Sequence, residues 1–349
     1  MVDQEIKRSE LHESMAGMPS RREDFQASFE AMVTNIGKVI KGKDNEIRLT
    51  LTAILAEGHV LFEDLPGTGK TMLARSIART IGAEHNRVQC TPDLLPADIT
   101  GSPVLDRASG DFVFRRGPVF TNVFLADEVN RASPKTQAAM LEAMQERNVT
   151  VDGRTYPLPS PFIVLATQNP IEFAGTFPLP EAQLDRFMFK LSLGYPVKES
   201  EIDVLVANRT KEAITSISPV IDRDGVVALI RWGEEVAVSR GVLSYIVDLV
   251  NAARDDPSCM AGASPRASLA LMKAGRVRAA SQGRDDVLPD DVKQIAMVVM
   301  AHRLILSADA LLRDEKVEDV AERIISRVKI PARIDTEPVE KPEGALAPK

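Results

Sequence analysis

The stretch His59 to Ile81, HVLFEDLPGTGKTMLARSIARTI, reads as a strand, a loop and a helix. Val60, Leu61 and Phe62 form an apolar run of buried-strand length, and Leu73, Ile77 and Ile81 recur every four residues on one helical face. The loop between them carries Pro66, Gly67, Thr68 and Gly69. Glycines let a backbone approach a phosphate closely, and the amides at a helix start aim the positive end of its dipole there. Lys70, Thr71 and Met72 open the helix. The lysine is placed to reach the outer phosphates of a nucleotide and the threonine hydroxyl to ligate Mg²⁺, as in G-x-x-x-x-G-K-[ST]. Asp64 stands where that pattern has its first glycine. A glycine-rich turn that merely joins strand to helix is the competing reading, and it weakens only if the rest of a hydrolytic site follows downstream.

Val123 to Glu128, VFLADE, supplies the second half. A continuous apolar run fits a parallel strand buried on both faces, and acids at its carboxyl end lie where open α/β sheets bind ligands. Asp127 would hold Mg²⁺ and Glu128 would orient and deprotonate the attacking water. Phe162 to Gln168, FIVLATQ, is a further buried strand that delivers Gln168 and Asn169 to the same edge. A neutral amide there could hold the attacking water; it could equally form a turn before Pro170. In EAQLDRFMF, Glu181 to Phe189, Arg186 could reach a neighbouring subunit's site as an arginine finger. Those residues make the bare-turn reading of the glycine loop improbable.

Composition bounds the rest. A chain of 349 residues suits two domains plus tails, and 44% hydrophobic with 27% charged residues is ordinary for a soluble globular protein. A formal net charge of −7 provides no global drive toward nucleic acid or an anionic membrane. Cys90 and Cys259 lie far apart without a C-x-x-C neighbour, which predicts reduced thiols and neither disulfide nor zinc site. No apolar run approaches the ~20 residues of a membrane span, and no signal-peptide core is present, so a cytoplasmic protein is expected.

Along the chain, residues 1–23 read as a polar tail, 24–196 as an α/β nucleotide-binding domain, 197–330 as a helical lid and 331–349, with four prolines, as a disordered end. Phe25 to Ala56 shows helical spacing broken near Gly37 and Lys41-Gly42-Lys43, hence two helices. Ile40 and Gly42 there are candidates to touch the adenine, and core packing accounts for them equally well. Two hairpins are expected, one flanking Ser109-Gly110 and one bracketing Asp152-Gly153. Ser133 caps a helix running to Arg147. In GASPRASLALMKAGRVRAA, Ser264 caps and Arg266 lies in the first turn of a lid helix; by itself it reads as a solvated arginine.

In this order the residues resemble an AAA+ ATPase and, more narrowly, the MoxR family. LFEDLPGTGKT resembles the family's Walker A loop, where an acid at Asp64's position is familiar. FLADEVNRASPKTQAAMLEAMQE resembles its Walker B region, ATQNP its sensor 1 at Asn169, and GTFPLPEAQLDRF the arginine-finger region at Arg186. TPDLLPADITG with the first hairpin resembles the helix-2 insert, and the second hairpin sits where the pre-sensor 1 hairpin belongs. Arg266 resembles sensor 2, which reaches from the lid to the nucleotide phosphates. The resemblance covers about Phe25 to Val328. It implies ATP and Mg²⁺ as ligands, with a P-loop core, a parallel sheet flanked by helices and a smaller all-α lid. It also implies a homo-oligomeric ring, hexameric in this family, and partnership with von Willebrand factor A domain proteins or other clients. The rival readings are a DNA-translocating motor using Arg115, Arg116, Arg147 and Arg154, a chelatase-type motor, and a nucleotide-gated scaffold with little turnover.

Overall fold

The computed structural model describes residues 23–65, 67–171, 175–208 and 217–331. The expected tails fall outside these residues but for their innermost positions, as does Pro66. Two N-terminal helices, α1 (Glu23–Gly37) and α2 (Asp44–Leu55), precede strand β1 (Val60–Glu63) and helix α3 (Lys70–Thr80). There follow β2 (His85–Gln89), α4 (Pro96–Thr100), the hairpin β3 (Gly101–Leu105) and β4 (Phe112–Arg116), and β5 (Val123–Asp127). Helix α5 (Pro134–Glu146) leads into a second hairpin, β6 (Asn148–Val151) and β7 (Arg154–Pro157), then β8 (Ile163–Gln168), α6 (Glu181–Leu184) and β9 (Phe189–Leu191).

Five strands form one sheet in the order β2-β5-β8-β1-β9, and every pairing in it is parallel. The chain leaves central β1 for the far edge, returns strand by strand to β8, and then places β9 on the other side of β1. All carboxyl ends therefore share one edge, and the loop after β1 opens beside the end of β8, where the strand order reverses. Alternate residues of each strand face opposite sides. Val60, Phe62, Val123, Leu125, Ile163 and Leu165 enter one apolar core, while Leu61, Phe124, Ala126, Val164 and Ala166 enter a second. Burial on both faces is the reason these strands are apolar throughout.

The second core is closed by Met140, Leu141 and Met144 of α5, whose N-cap Ser133 accepts from the Thr136 amide. The first is closed by α1 and α2 together with a C-terminal helical array. That array contains α7 (Lys198–Asn208), α8 (Arg223–Glu235), α9 (Arg240–Arg254), α10 (Pro265–Ser281), α11 (Pro289–Met300), α12 (Ala308–Leu312) and α13 (Val317–Arg327). Leu229, Tyr245, Leu271, Ile295 and Ile324 belong to the same apolar cluster as Phe25, Phe29 and Val60. The helical array thus shares a core with one face of the sheet. It also carries a short antiparallel pair, β10 (Cys259–Ala261) with β11 (Ile305–Leu306), where the sequence predicts helices with little strand. Three and two residues are too few to show a period.

Both hairpins form. Val104 pairs with Val113 and Leu105 with Phe112, and Val151 pairs with Arg154 around Asp152 and Gly153, whose φ of 50° and 74° suit a two-residue turn. Phe114 stacks on Tyr156 at 4.2 Å, so the hairpins lie against each other. No helix among the described residues is long and apolar enough to cross a membrane.

Candidate functional site

At the carboxyl edge of the sheet, a cleft of about 350 Å³ is lined by residues of the glycine loop, by Thr71 and Met72 of α3, and by Arg87, Asp127, Glu128 and Asn169. Gly67 and Gly69 have φ of 86° and 93°, left-handed values that a side chain resists, and open space lies where a Cβ would be. Gly69 is the N-cap of α3, so the helix begins at Lys70 with its free amides toward the cleft. Lys70 Nζ donates to the Leu65 carbonyl at 3.0 Å and the Asp64 carbonyl at 3.3 Å. Burial lowers the Lys70 pKa, against the pull of the Asp64, Asp127 and Glu128 carboxylates.

Asp64 wall-lines the cleft but directs its carboxylate elsewhere. Its oxygens accept from Ser192 Oγ at 2.7 Å, the Leu193 amide at 2.8 Å and the Gly194 amide at 2.9 Å. Its carboxylate clamps the glycine loop to the segment leaving β9, while the residue itself stays on the cleft wall. Its 5% exposure and full set of donors suit a buried carboxylate.

Asp127 and Glu128 end β5 as expected. Thr167 Oγ1 donates to Asp127 Oδ1 at 2.6 Å and accepts from the Glu128 amide at 2.8 Å, so one hydroxyl on β8 fixes both acids. Glu128 has φ 56°, an uncommon value for a side-chain-bearing residue that turns the chain at the end of the strand. Its carboxylate meets Arg131 at 3.0 Å. Asn169 is 7% exposed and uses Oδ1 to accept from the Ile171 amide at 3.1 Å, which leaves its amide nitrogen as the donor for the cleft. Thr71 and Asp127 offer hard oxygen donors in one cleft, a set that fits Mg²⁺.

Arg87, on β2, is a site residue that no sequence motif singles out. Its Nη2 and Nε donate to Asp127 Oδ2 at 2.7 and 3.1 Å, so a guanidinium sits on the carboxylate that a metal would use. The polar strand HNRVQ carries no motif to reveal this; its pairing with β5, Arg87 opposite Leu125 and Gln89 opposite Asp127, does.

The remaining candidates lie apart. Neither Ile40 nor Gly42 lines the cleft. Ile40 packs on the apolar core, and a Cβ on Gly42, φ 68°, would strike Ser200 of α7. Arg186 and Arg266 are likewise absent from it. Arg266 does not reach from the lid to this chain's own glycine loop, because its helix is docked beside Asp185, where Arg266 Nη1 lies 3.7 Å from a carboxylate oxygen. Arg186 and Arg266 together line a different cleft of about 440 Å³, with Gln145, Arg147, Lys273 and Arg303. His59, also on its wall, is fixed by donors and acceptors at both ring nitrogens: Nδ1 accepts from the Val164 amide and Nε2 donates to the Met144 carbonyl, each at 3.0 Å. Burial pushes its pKa down to about 4. Of the arginines available to a basic pore, Arg147 is paired with Glu57 and Arg116 lies 5.3 Å from the Phe120 ring centre. Cys90 is buried behind Asp127, and burial pushes its thiol up to about 12.

Comparison with known proteins agrees with this fold. Residues 59–189 match the family described as ATPase family associated with various cellular activities (AAA), and residues 251–324 match the AAA lid domain. The chain is 40% identical to Chaperone MoxR1 of Mycobacterium tuberculosis, over 87% of this chain and 82% of that protein. It is 32% identical to Protein MoxR of Paracoccus denitrificans, over 90% and 100%. The uncharacterized protein YeaC of Bacillus subtilis is 46% identical over 89% and 98%. A crystal structure of a Cytophaga hutchinsonii protein, provisionally named an ATPase, superposes with a TM-score of 0.83 at 38% identity, covering 88% of this chain and 96% of that one. With a glycine-loop cleft, a sheet-edge acid pair and a helical lid in one chain, the protein belongs to the MoxR family of AAA+ ATPases.

Proposed function

We propose that the protein hydrolyses ATP in a ring of identical subunits and uses the cycle to remodel protein complexes. The observation that carries this reading is the separation of two functional clefts. Lys70, Thr71, Asp127, Glu128 and Asn169 converge on one, while Arg186 and Arg266 line another. A chain that holds the phosphate cradle and the charge-neutralising arginines in different clefts needs a second subunit to complete each site.

In the completed site the amides of the glycine loop and Lys70 bind the outer phosphates. Glu128 accepts the proton of the attacking water once its carboxylate is released from Arg131, and the Asn169 amide orients that water. Thr71 and Asp127 would hold Mg²⁺, which would supply neutralisation of phosphate charge. Arg186 of the neighbour stabilises the charge that builds during transfer, with Arg266 beside it. This makes Arg266 a contributor to the adjacent site rather than to its own. A cytoplasmic hexamer acting with a von Willebrand factor A domain partner or another client extends this proposal along the family resemblance, and the paired hairpins are the candidate client-facing elements.

The test is steady-state ATPase activity against protein concentration, with mass in solution followed in parallel. Wild type should hydrolyse ATP with cooperative dependence on concentration. Glu128→Gln should bind nucleotide and assemble yet lose turnover by about a hundredfold or more. Turnover that is linear in protein concentration and indifferent to Arg186→Ala would sink the ring mechanism, and absence of turnover would favour a nucleotide-gated scaffold.

A further inference from the structure

Asp185 immediately precedes Arg186, and three lid groups converge on its carboxylate. Ser264 Oγ, the N-cap of α10, donates to Oδ2 at 2.8 Å; Arg303 Nε donates to Oδ1 at 2.8 Å; Arg266 Nη1 stands 3.7 Å from Oδ2. Arg303 grips the same segment further. Its Nη2 donates to the carbonyls of Asp185 at 3.2 Å and Phe187 at 2.6 Å, and its Nη1 to the Met188 carbonyl at 3.2 Å. The Arg303 side chain is 2% exposed, so its charge depends on Asp185 for compensation. By contrast the Arg186 side chain is held within its own domain by one bond, Nη1 to the Leu141 carbonyl at 3.0 Å. The backbone that carries the finger is thus fastened to the lid on both sides of Arg186.

We propose that Asp185 is a positioning residue through which the lid of one subunit aims Arg186 into the site of the next. The inference rests on the reading that Arg186 acts across the subunit interface. Its physical content is rigidity: with Asp185 bonded to Ser264 and Arg303, a rotation of the lid carries the 185–188 segment with it. The way a subunit's lid is docked would then set the position of the arginine offered to its neighbour. A purely structural pairing of Asp185 with Arg303 would instead weaken every function of the subunit together.

Mixed rings separate the two. Asp185→Asn keeps the side-chain shape and an acceptor for Ser264 but removes the charge that holds Arg303. Alone it should assemble, bind nucleotide as wild type does, and lose turnover by roughly ten- to a hundredfold, the scale of a misplaced catalytic group. Mixed with Glu128→Gln subunits, whose arginines are intact, it should regain turnover, because its own cleft then faces a properly aimed finger. The mixture of Arg186→Ala with Glu128→Gln is the reference and should recover likewise. Recovery in the reference without recovery for Asp185→Asn overturns the inference, as does wild-type turnover for Asp185→Asn alone. No recovery in the reference overturns the across-interface reading itself. Should Asp185→Asn fail to assemble, Arg303→Lys keeps a cation at Asp185 while losing the carbonyl bonds. The same pattern of loss and recovery is expected of it, and its failure to recover counts against the inference equally.

Discussion

The two clefts of this chain are built on opposite principles. The cleft of about 350 Å³ at the sheet edge takes its chemistry from short contiguous runs, each ending a strand or starting a helix. The larger cleft, of about 440 Å³, gathers residues from the turn between α2 and β1, from the end of α5, from the connection between α6 and β9, from α10 and from the turn after α11. The first is rigid because the sheet beneath it is buried on both faces. The second lies where lid meets core, so its shape depends on how they dock. On the proposed mechanism a nucleotide is held by the first alone, and turnover needs the second from another subunit.

The sharpest way to break this contrast is Arg186→Ala. Nucleotide binding should persist while turnover falls by about a thousandfold, the lower range for a lost arginine finger, measured as ATPase activity beside a binding titration. Equal loss of binding would place Arg186 in its own subunit's cleft.

Acid should damage the wall of the second cleft. The native His59 pKa is about 4, below the ordinary 6.5, so the unfolded chain binds a proton that the native chain refuses between those values. Stability contributed by neutral His59 is therefore full above about pH 6.5 and declines as pH falls toward 4, by roughly 3 kcal/mol in all. Denaturation midpoints across that range should fall less for His59→Gln than for wild type.

Asp64 ties the first cleft's glycine loop to the strand end that leads into the helical array. Asp64→Gly restores the general loop pattern yet should destabilise the fold by about 2 kcal/mol, because the buried amide of Leu193 and the half-buried amide of Gly194 lose their acceptor. Chemical denaturation reads this directly, and an unchanged midpoint would refute the clamp.

The smallest effect belongs to Arg87. It is a partly exposed cation on Asp127 Oδ2, and a metal must share or displace it. Arg87→Gln should lower the Mg²⁺ concentration needed for tight binding of a fluorescent nucleotide by about two- to fivefold, the scale of an exposed ion pair. No shift would make Arg87 a bystander.

Much of the first cleft was legible because its residues act as neighbours in sequence. Gly69-Lys70-Thr71 and Asp127-Glu128 announce themselves by order, and the hairpin turn at Asp152-Gly153 and the cap at Ser133 do so by local hydrogen bonding. Asp64 was legible as an oddity but not as a clamp, since its partners lie 128 to 130 residues away. Arg87 sits in a polar strand without a pattern. Arg266 takes a role only from the family resemblance, and only the docking of α10 against Asp185 shows which cleft it enters.

By itself the sequence determined the parallel sheet, the phosphate loop and the acid pair, because burial periodicity and backbone freedom are local properties of a chain. Tertiary structure decided what Asp64 and Asp185 hold, which carboxylate Arg87 occupies, and that the two arginines share a cleft away from their own glycine loop. Those outcomes depend on the angle and register at which distant elements pack, and no short stretch of residues encodes either.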